Sequence, residues 1–189
     1  ITDAYRAHRV ARGAARIDLP EVSVRVVDGE VVIRPLPKLD SRDMVTDAML
    51  MAGEAAARYA TENDIAIPYA SQPQPDEVRR PEGMAEMYAY RRLFKPSRAS
   101  LDPEPHFGLG LETYARATSP LRRYADLLVH QQLRAAVTGG SVASREQISE
   151  RATGLEAAGA IIRRAERLSN MHWKMVYLDQ HPAWQGDAE

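Results

Sequence analysis

Two adjacent arginines follow a Thr-Ser-Pro triplet in the second half of the chain, and together these residues could bind an anion. Thr118 and Ser119 supply hydroxyl groups, and Arg122 and Arg123 supply guanidinium groups. A proline directly after a serine predicts that a helix begins here, with Ser119 as N-cap and Pro120 at the first helical position. The free N–H groups of a helix N-terminus attract anions, and guanidinium groups bind phosphate in a bidentate manner. The stretch predicts a phosphate site or, alternatively, two arginines that are solvated or paired with carboxylates.

Glu166, on the predicted last helix, is the second candidate. Apolar and small residues recur there at intervals of four and three, and Glu166 falls on the same line. A carboxylate that faces a core needs a partner, because burying an unpaired charge is costly. Arg122 or a ribose hydroxyl could serve, unless the line turns into solvent at this point. The other members of the line are Ile148, Ala152, Leu155, Gly159, Ile162, Ser169, Trp173 and Val176.

Aromatic and basic residues alternate between positions 88 and 98. Such a mixture is typical of grooves for single-stranded nucleic acid, where rings stack on bases and cations contact phosphates. The alternative is an amphipathic helix with its rings inward and its arginines in solvent. The aromatic members are Tyr88, Tyr90 and Phe94, and the basic members are Arg91, Arg92, Lys95 and Arg98.

Metal chemistry finds little support in this chain. Asp43 and Asp47 stand four residues apart on a predicted helix and could hold a metal, but the sequence favours a solvated helix start for them. The histidines at 106, 130, 172 and 181 lack the spacing of metal ligands. No dense cluster of carboxylates exists, so a two-metal phosphoryl-transfer site cannot be built from these residues alone. The lack of cysteine excludes disulfides and a cysteine nucleophile.

The composition is that of an ordinary globular protein. The chain has 189 residues, of which 44% are hydrophobic and 27% charged. Because the formal net charge is only −1, any site for a polyanion must be local. No apolar run approaches the roughly 18 residues of a membrane span, and the charged N-terminus does not resemble a signal peptide. We expect a cytoplasmic protein without a membrane partner.

The predicted elements form an α-rich α+β fold. The hairpin is predicted about residues 21–35, where two alternating segments flank Asp28-Gly29. Helices are predicted over 3–15, 41–64, 83–95 and 119–138, the last one stopped by Gly139-Gly140. A final helix is predicted from a capping box of Ser144 and Gln147 to about residue 179. The Pro- and Gln-rich stretch after residue 66 is predicted to be a loop, and residues 102–118 to be irregular.

The segment PHFGLGLETYARATSPLRRYADLLVHQQL closely resembles the signature of the ribonuclease II and ribonuclease R family. ARIDLPEVSVRVVDGEVVIRP resembles the hairpin of that family, DMVTDAMLMAGEAAARYA one of its helices, and RRAERLSNMHW the last helix of its catalytic domain. The resemblance covers nearly the whole chain. It implies that residues 1–189 are the C-terminal portion of an RNB-type catalytic domain. The half that carries metal-binding aspartates and the barrel-shaped RNA-binding domains would lie outside this sequence.

The resemblance implies a processive exoribonuclease that degrades single-stranded RNA from the 3′ end by hydrolysis and releases nucleoside 5′-monophosphates. Its Mg²⁺ would be bound by aspartates of the other half, so this portion alone would be inactive. Arg122 falls on the family's arginine at the scissile phosphate. Glu166 falls on the glutamate that shapes the pocket for the 3′-terminal nucleotide. Thr118, Ser119 and Arg123 would assist in binding phosphate.

The chain also departs from the family pattern. Thr46 and Asp47 replace a Glu-Glu pair whose first member helps to contact the RNA sugar, so RNA contact is expected here with altered chemistry. Gly53-Glu54 replaces an asparagine position, and Ala117 replaces an aromatic residue before Thr-Ser-Pro. Because the aspartates are not in this sequence, a non-catalytic module that binds RNA or a protein is the alternative function. A plain helical scaffold with solvated arginines is a third.

Overall fold

The computed structural model describes residues 1–15, 17–153 and 155–185, without the side chains of residues 155–157. The fold is of the mixed α+β type that the sequence predicts. In chain order its elements are α1 (Thr2–Ala11), β1 (Val22–Val27), β2 (Glu30–Pro35), α2 (Asp40–Glu62), β3 (Tyr69–Ser71), α3 (Met84–Leu93), β4 (Arg98–Ser100), a 3-10 turn (Phe107–Leu109), α4 (Tyr124–Thr138), α5 (Arg145–Thr153) and α6 (Leu155–Gln180).

The predicted hairpin is confirmed. Strands β1 and β2 pair antiparallel from Val22 opposite Pro35 to Val27 opposite Glu30. The two turn residues both have positive φ, 52° at Asp28 and 86° at Gly29. Aspartate tolerates this conformation and glycine adopts it freely, which is why this dipeptide closes a two-residue turn.

A short buried strand lies within the stretch that the sequence predicts to be a loop, so that part of the prediction is wrong. All three residues of β3 are buried. Strand β3 pairs antiparallel with β4, and Tyr69 forms a further bridge with Ala115. The partners are 31 and 46 residues away in the chain, counted from Tyr69 to Ser100 and Ala115. Local composition cannot reveal a strand whose stability comes from such distant pairing.

The core lies where α2 and α4 meet the chain around β3. Its buried members are Ala57, Ala60, Ile65, Ile67, Tyr69, Ala115 and Val129. Small residues on α2 allow the chain after Tyr114 to approach the helix closely. The N–H of Ala115 donates to the carbonyl oxygen of Gly53 at 3.2 Å. A Cβ atom on Gly53 would lie only 2.2 Å from a ring carbon of Tyr114.

Helix α4 is fixed in this core by a buried glutamine. The side-chain amide of Gln132 donates to the carbonyl oxygens of Ala66 at 2.8 Å and Ala143 at 2.9 Å. Its amide oxygen accepts the N–H of Ala143 at 2.9 Å. The helix ends at Gly139, whose φ is +68°, and Gly140 donates back to Ala135. The glycine stop predicted from the sequence is therefore confirmed.

The last part of the chain is helical over the predicted range, in two elements on either side of residue 154, which lies outside the described residues. The predicted capping box is confirmed by hydrogen bonds from Ser144 N–H to the side chain of Gln147 at 2.9 Å and from Gln147 N–H to Ser144 Oγ at 3.3 Å. Helix α6 lies against β1 and β2 but is otherwise mostly exposed. Neither it nor any other described helix is long and apolar enough to cross a membrane.

Candidate functional site

The Thr-Ser-Pro triplet leads into a loop and not into a helix, so the predicted helix start at Ser119 is wrong. The carbonyl oxygen of Ser119 accepts the N–H groups of Arg122 at 3.2 Å and Arg123 at 3.0 Å. Arg123 is extended, with φ −128° and ψ 115°, and α4 begins only at Tyr124. Serine and proline are also favoured at the first two positions of a β-turn, and here they occupy those positions. We call residues 119–123 the phosphate loop, after the phosphate site that the sequence predicts here.

The carboxylate of Asp126 holds this loop against the start of α4. Its Oδ2 atom accepts the N–H of Ser119 at 2.8 Å. The same oxygen accepts hydrogen bonds from Arg123, at 3.1 Å from Nε and 2.8 Å from Nη2. The Asp126 side chain is fully buried and that of Arg123 is about one-third exposed. Arg123 is therefore neutralised inside the loop.

Arg122 is the arginine of the pair that remains available. Its side chain is exposed. Within the described part of the chain no carboxylate forms an ion pair with it. Thr118 and Ser119 are partly buried beside it, and the Ser119 N–H is already bonded to Asp126. Of the predicted anion-binding groups, the guanidinium of Arg122 and the two hydroxyls are thus left for a ligand.

Glu166 does not face a core, and the predicted inward line is only partly confirmed. Ile148 is buried, and Trp173 and Val176 are partly buried, but Ile162 and Glu166 are exposed. Leu155 lies outside the residues whose side chains are described. The main contacts of α6 among the described elements are with the hairpin and α5, and the middle of the line meets solvent.

Glu166 borders a shallow groove of about 380 Å³ on α6. The groove is mainly basic, and its other lining residues are Arg163, Arg167, Asn170, Met171 and Lys174. Among the described residues, Glu166 forms no ion pair with Arg122, so the partnership considered from the sequence is not formed in this structure. A carboxylate among three cations can accept a hydroxyl while the cations attract phosphate.

Asp47 is buried between two arginines of α1. Its Oδ1 accepts Arg9 Nη2 at 2.7 Å, and its Oδ2 accepts both Nε and Nη2 of Arg6 at 2.6 Å. This bond to Asp47 raises the pKa of Arg6. The solvated helix start that the sequence favoured for Asp43 and Asp47 is wrong for Asp47, because α1 covers it. Its carboxylate anchors α1 on α2.

Thr46 is exposed beside Asp47, and both line an open cleft of about 780 Å³ between α1 and the start of α2. Acidic and basic groups are balanced along its walls, which include Arg6, Arg9, Lys38 and Arg42 together with Asp18, Glu21, Asp43 and Asp47. Lys38 is ion-paired with Asp18. The cleft therefore carries no strong excess of positive charge, and Thr46 is the member that offers a free hydroxyl.

Of the aromatic and basic residues around α3, some are buried and others are exposed. Tyr90 is buried, and its ring packs edge-on against Phe94 at 5.0 Å between ring centroids. The rings of Phe94 and Phe107 are in turn 5.9 Å apart between their centroids. Tyr88 is exposed together with Arg91, Arg92 and Arg98. The amphipathic interpretation thus holds for two rings, and Tyr88 is left as a ring that could stack on a base.

His106 and Tyr114 support the chain that leads into the phosphate loop. Their rings meet edge-on at 6.0 Å. Burial, assisted by the charge of Arg116, lowers the pKa of His106 to about 4. Burial also raises the pKa of Tyr114, on which the charges of Arg116, Arg123 and Asp126 act as well. Both rings are therefore neutral at pH 7 and act as structural supports.

No cluster of three or more His, Asp or Glu side chains that could hold a metal ion occurs in the described ranges. The described residues thus do not fit a magnesium site. That the metal ligands come from a segment outside this sequence stays a prediction.

Two functional features escaped prediction from the sequence. Asp126 follows Arg123 by three residues, and that spacing on a helix start is a readable sign of an ion pair. The clamp of Arg6 and Arg9 on Asp47 joins residues 41 and 38 positions apart. The only sign of it in the sequence is spacing: Arg6 and Arg9 stand three residues apart, and Asp43 and Asp47 stand four residues apart.

Comparisons with known proteins agree on one family. The RNB domain model matches residues 1–139. An uncharacterized ribonuclease from Synechocystis is 35% identical over 188 residues, which cover 94% of this chain and 28% of that protein. Exoribonuclease 2 from Salmonella arizonae is 46% identical over 61 residues, which cover 32% of this chain and 10% of that protein. This chain therefore spans about a quarter or less of the length of these relatives.

Solved structures show the same fold. RNase R from Mycoplasma genitalium, in complex with ribose-methylated single-stranded RNA, matches 95% of this chain and 35% of its own, with a TM-score of 0.81 and 21% identity. An active-site mutant of the Dss1 exoribonuclease from Candida glabrata matches 96% of this chain and 26% of its own, with a TM-score of 0.83 and 19% identity. The match of the RNB domain model to residues 1–139 shows that the chain belongs to the RNB domain family.

Proposed function

We propose that this chain is the C-terminal portion of the catalytic domain of a processive exoribonuclease that hydrolyses single-stranded RNA from its 3′ end. The proposal rests on one observation, the different environments of the two adjacent arginines. Arg123 is neutralised by Asp126, whereas Arg122 stands exposed on the phosphate loop. A scaffold with two solvated arginines would not need a buried carboxylate for only one of them.

Arg122 would act on the charge that develops during hydrolysis. Water attacks the phosphorus atom of the 3′-terminal nucleotide, and the bond from phosphorus to the 3′ oxygen of the preceding nucleotide breaks. The products are a nucleoside 5′-monophosphate and an RNA chain with a free 3′ hydroxyl. A guanidinium group at the non-bridging oxygens stabilises the transition state more than the ground state. The hydroxyls of Thr118 and Ser119 would help to hold the same phosphate.

Other residues would bind the RNA further from the reacting bond. We assign Glu166 to the pocket of the terminal nucleotide, where its carboxylate would accept a ribose hydroxyl between neighbouring cations. Thr46 would offer its hydroxyl to the sugar. Asp47 would act through the placement of α1, because both of its oxygens are bonded to arginines. Arg123 would contribute through the loop and not by direct contact.

Mg²⁺ would be supplied to the reaction by aspartates of an N-terminal half, which we propose as the partner of this chain. When bound, Mg²⁺ provides charge neutralisation and a more acidic water molecule. The described residues hold no such cluster, so this portion alone should be inactive. A cytoplasmic location remains our prediction, and cell fractionation would test it.

The test combines this chain with its presumed N-terminal half, Mg²⁺ and 5′-labelled single-stranded RNA. We expect stepwise shortening from the 3′ end and nucleoside 5′-monophosphates only when both halves are present. Arg122→Ala should lower kcat about 10²–10³-fold, the usual effect of removing one charge-stabilising donor, while most of the RNA affinity is retained.

The matched control is Arg134→Ala, which removes an exposed arginine of α4 away from the loop. It should leave kcat within about twofold of the parent protein, since exposed side chains without special contacts contribute little. Unchanged turnover in Arg122→Ala would exclude the assigned mechanism. RNA binding without cleavage in any combination would instead support a non-catalytic binding module.

A further inference from the structure

Asp126 lies in an environment that stability alone does not explain. Its side chain is fully buried at the start of α4. Oδ2 accepts three hydrogen bonds, from Ser119 N–H and from two nitrogens of Arg123. Oδ1 is also buried and accepts no hydrogen bond from a described residue. Burying a carboxylate with one oxygen unbonded is unfavourable, and buried ion pairs often contribute less than an apolar replacement would.

The three bonds define the shape of the phosphate loop. Asp126 takes the N–H of Ser119, while the carbonyl oxygen of Ser119 takes the N–H groups of Arg122 and Arg123. Both polar groups of the Ser119 backbone are thus bonded, the N–H to α4 and the carbonyl oxygen within the loop. The residues from Pro120 to Arg123, which include Arg122, are held in a tight turn.

Helix α4 secures the approach to the loop at a second point. The ring of His130 is 2.6 Å from the carbonyl oxygen of Ala117 through Nε2, which must donate because a carbonyl oxygen only accepts. Since His130 and Asp126 are four residues apart on one helix face, the helix holds Ala117 and Ser119 together. The loop and the residues before it are therefore attached to α4 at two points.

The charges of the two arginines in the loop are also treated differently. Arg122 and Arg123 are neighbours, yet only Arg123 has a carboxylate partner in the described part of the chain. If both were free, a phosphate could be drawn to either guanidinium, and only one position can match the reacting bond. Catalytic groups displaced by about 1 Å lose most of their effect.

We propose that Asp126 is a positioning residue for Arg122. It fixes the phosphate loop on α4 and neutralises Arg123, so that a scissile phosphate meets Arg122 alone. The inference rests on the proposed function of Arg122 and adds the residue that determines where Arg122 stands.

The first test is Asp126→Asn, which keeps the size of the side chain and removes its charge. Hydrogen exchange of the Ser119 amide should become about tenfold faster, because a charge-assisted hydrogen bond is weakened to a neutral one. NMR of the Arg123 Nε–H group should show a matching loss of protection. In the assembled nuclease, kcat should fall about tenfold or more while KM does not rise. Asp102→Asn is the matched control, because Asp102 forms an exposed ion pair with Arg145, and it should change none of these values.

RNA binding at several salt concentrations supplies a readout that a purely structural role would not change. Released from Asp126, Arg123 becomes a second cation for phosphate in Asp126→Asn. The slope of log K against log salt concentration should then steepen by about 0.7, the value for one extra contact with single-stranded RNA. Arg123→Gln in the parent background should leave this slope unchanged and serves as the second variant if Asp126→Asn does not fold.

Two results would overturn the inference. One is unchanged Ser119 exchange and unchanged kcat in folded Asp126→Asn. The other is a slope that falls by about 0.7 in Arg123→Gln, since this would mean that Arg123 contacts phosphate itself. The exchange measurements need no RNA, so they decide the role of Asp126 in the loop even if the wild-type assembly cleaves nothing. Failure of cleavage by the wild-type assembly would count against the proposed nuclease and not against the loop.

Discussion

Replacing Gly53 by alanine tests the close packing that places the phosphate loop. In an exposed helix this substitution stabilises by about 1 kcal/mol, because alanine has the higher helix propensity. At Gly53 the new Cβ would lie 2.2 Å from Tyr114 Cε2 and 2.5 Å from the carbonyl oxygen of Ala115. Contacts under 3.0 Å essentially never occur for real Cβ atoms, and a backbone oxygen cannot move aside as a flexible side chain can. The packing effect should therefore exceed the propensity gain.

The expected size follows from two losses and one gain. Overpacking a tight contact costs about 1–3 kcal/mol. Displacing the chain at Ala115 weakens its hydrogen bond to Gly53, which contributes about 0.5–1.5 kcal/mol. After subtracting the propensity gain of about 1 kcal/mol, we expect a net loss of about 2 kcal/mol in the free energy of unfolding. For a chain of this length that lowers Tm by about 4–8 °C.

Gly159→Ala is the matched control, because it is the same substitution within a helix. There the new Cβ would first meet Nη1 of Arg163 at 3.1 Å, the end of a flexible side chain that can rotate away. We expect stabilisation of about 0.5–1 kcal/mol. Urea unfolding and calorimetry of both variants measure the difference. A Gly53→Ala protein as stable as Gly159→Ala would refute the packing of Tyr114 and Ala115 on α2.

Three further predictions concern the contacts that support the site. Arg9→Met removes one of the two arginine partners of buried Asp47 and should lower the free energy of unfolding by about 3 kcal/mol, the lower end for a broken buried pair, because Arg6 still pairs with Asp47. Arg12→Met, which loses an exposed pair with Glu112, should cost less than about 1 kcal/mol, and urea unfolding compares the two variants. Gln132→Leu removes three hydrogen bonds to partly buried backbone groups of Ala66 and Ala143 and should cost about 3 kcal/mol in the same assay, while Gln131→Leu, at an exposed position, should have little effect. The depressed pKa of His106 means that the unfolded chain binds the proton first, so stability should fall as pH drops from 6.5 toward 4, by at most about 1.4 kcal/mol per pH unit. His106→Gln should flatten that dependence and His8→Gln should not, and equal slopes in calorimetry across this range would contradict the buried neutral ring.

Features that local chemistry determines could be predicted from the sequence. The hairpin turn needs residues that accept positive φ, and Asp28-Gly29 meets that need without help from the rest of the fold. The end of α4 at Gly139 and the capping box of Ser144 and Gln147 likewise depend on neighbours within four residues. Arg122 was singled out because its continuous motif resembles the family signature, and its catalytic role stays a prediction.

Features that depend on distant partners could not be predicted. The sequence favoured a solvated helix start for Asp47, because nothing nearby in the chain shows that α1, some forty residues earlier, covers it. Periodicity shows that a helix has an apolar line but not what lies against it. For that reason the sequence left open whether Glu166 faces a core or solvent, and the structure places it in solvent, on a helix whose main contacts are with the hairpin and α5.

The start of α4 determines which of the two arginines is free. In a helix beginning at Ser119, Arg122 would precede Asp126 by four residues and Arg123 by three, so both would be within reach of its carboxylate. In the structure the helix begins at Tyr124, Asp126 bonds Ser119 and Arg123, and Arg122 is turned to solvent. A change that extended α4 back to Ser119 would let Asp126 compete for Arg122. The availability of the proposed catalytic cation is therefore a consequence of where a helix begins, and no property of the arginine itself.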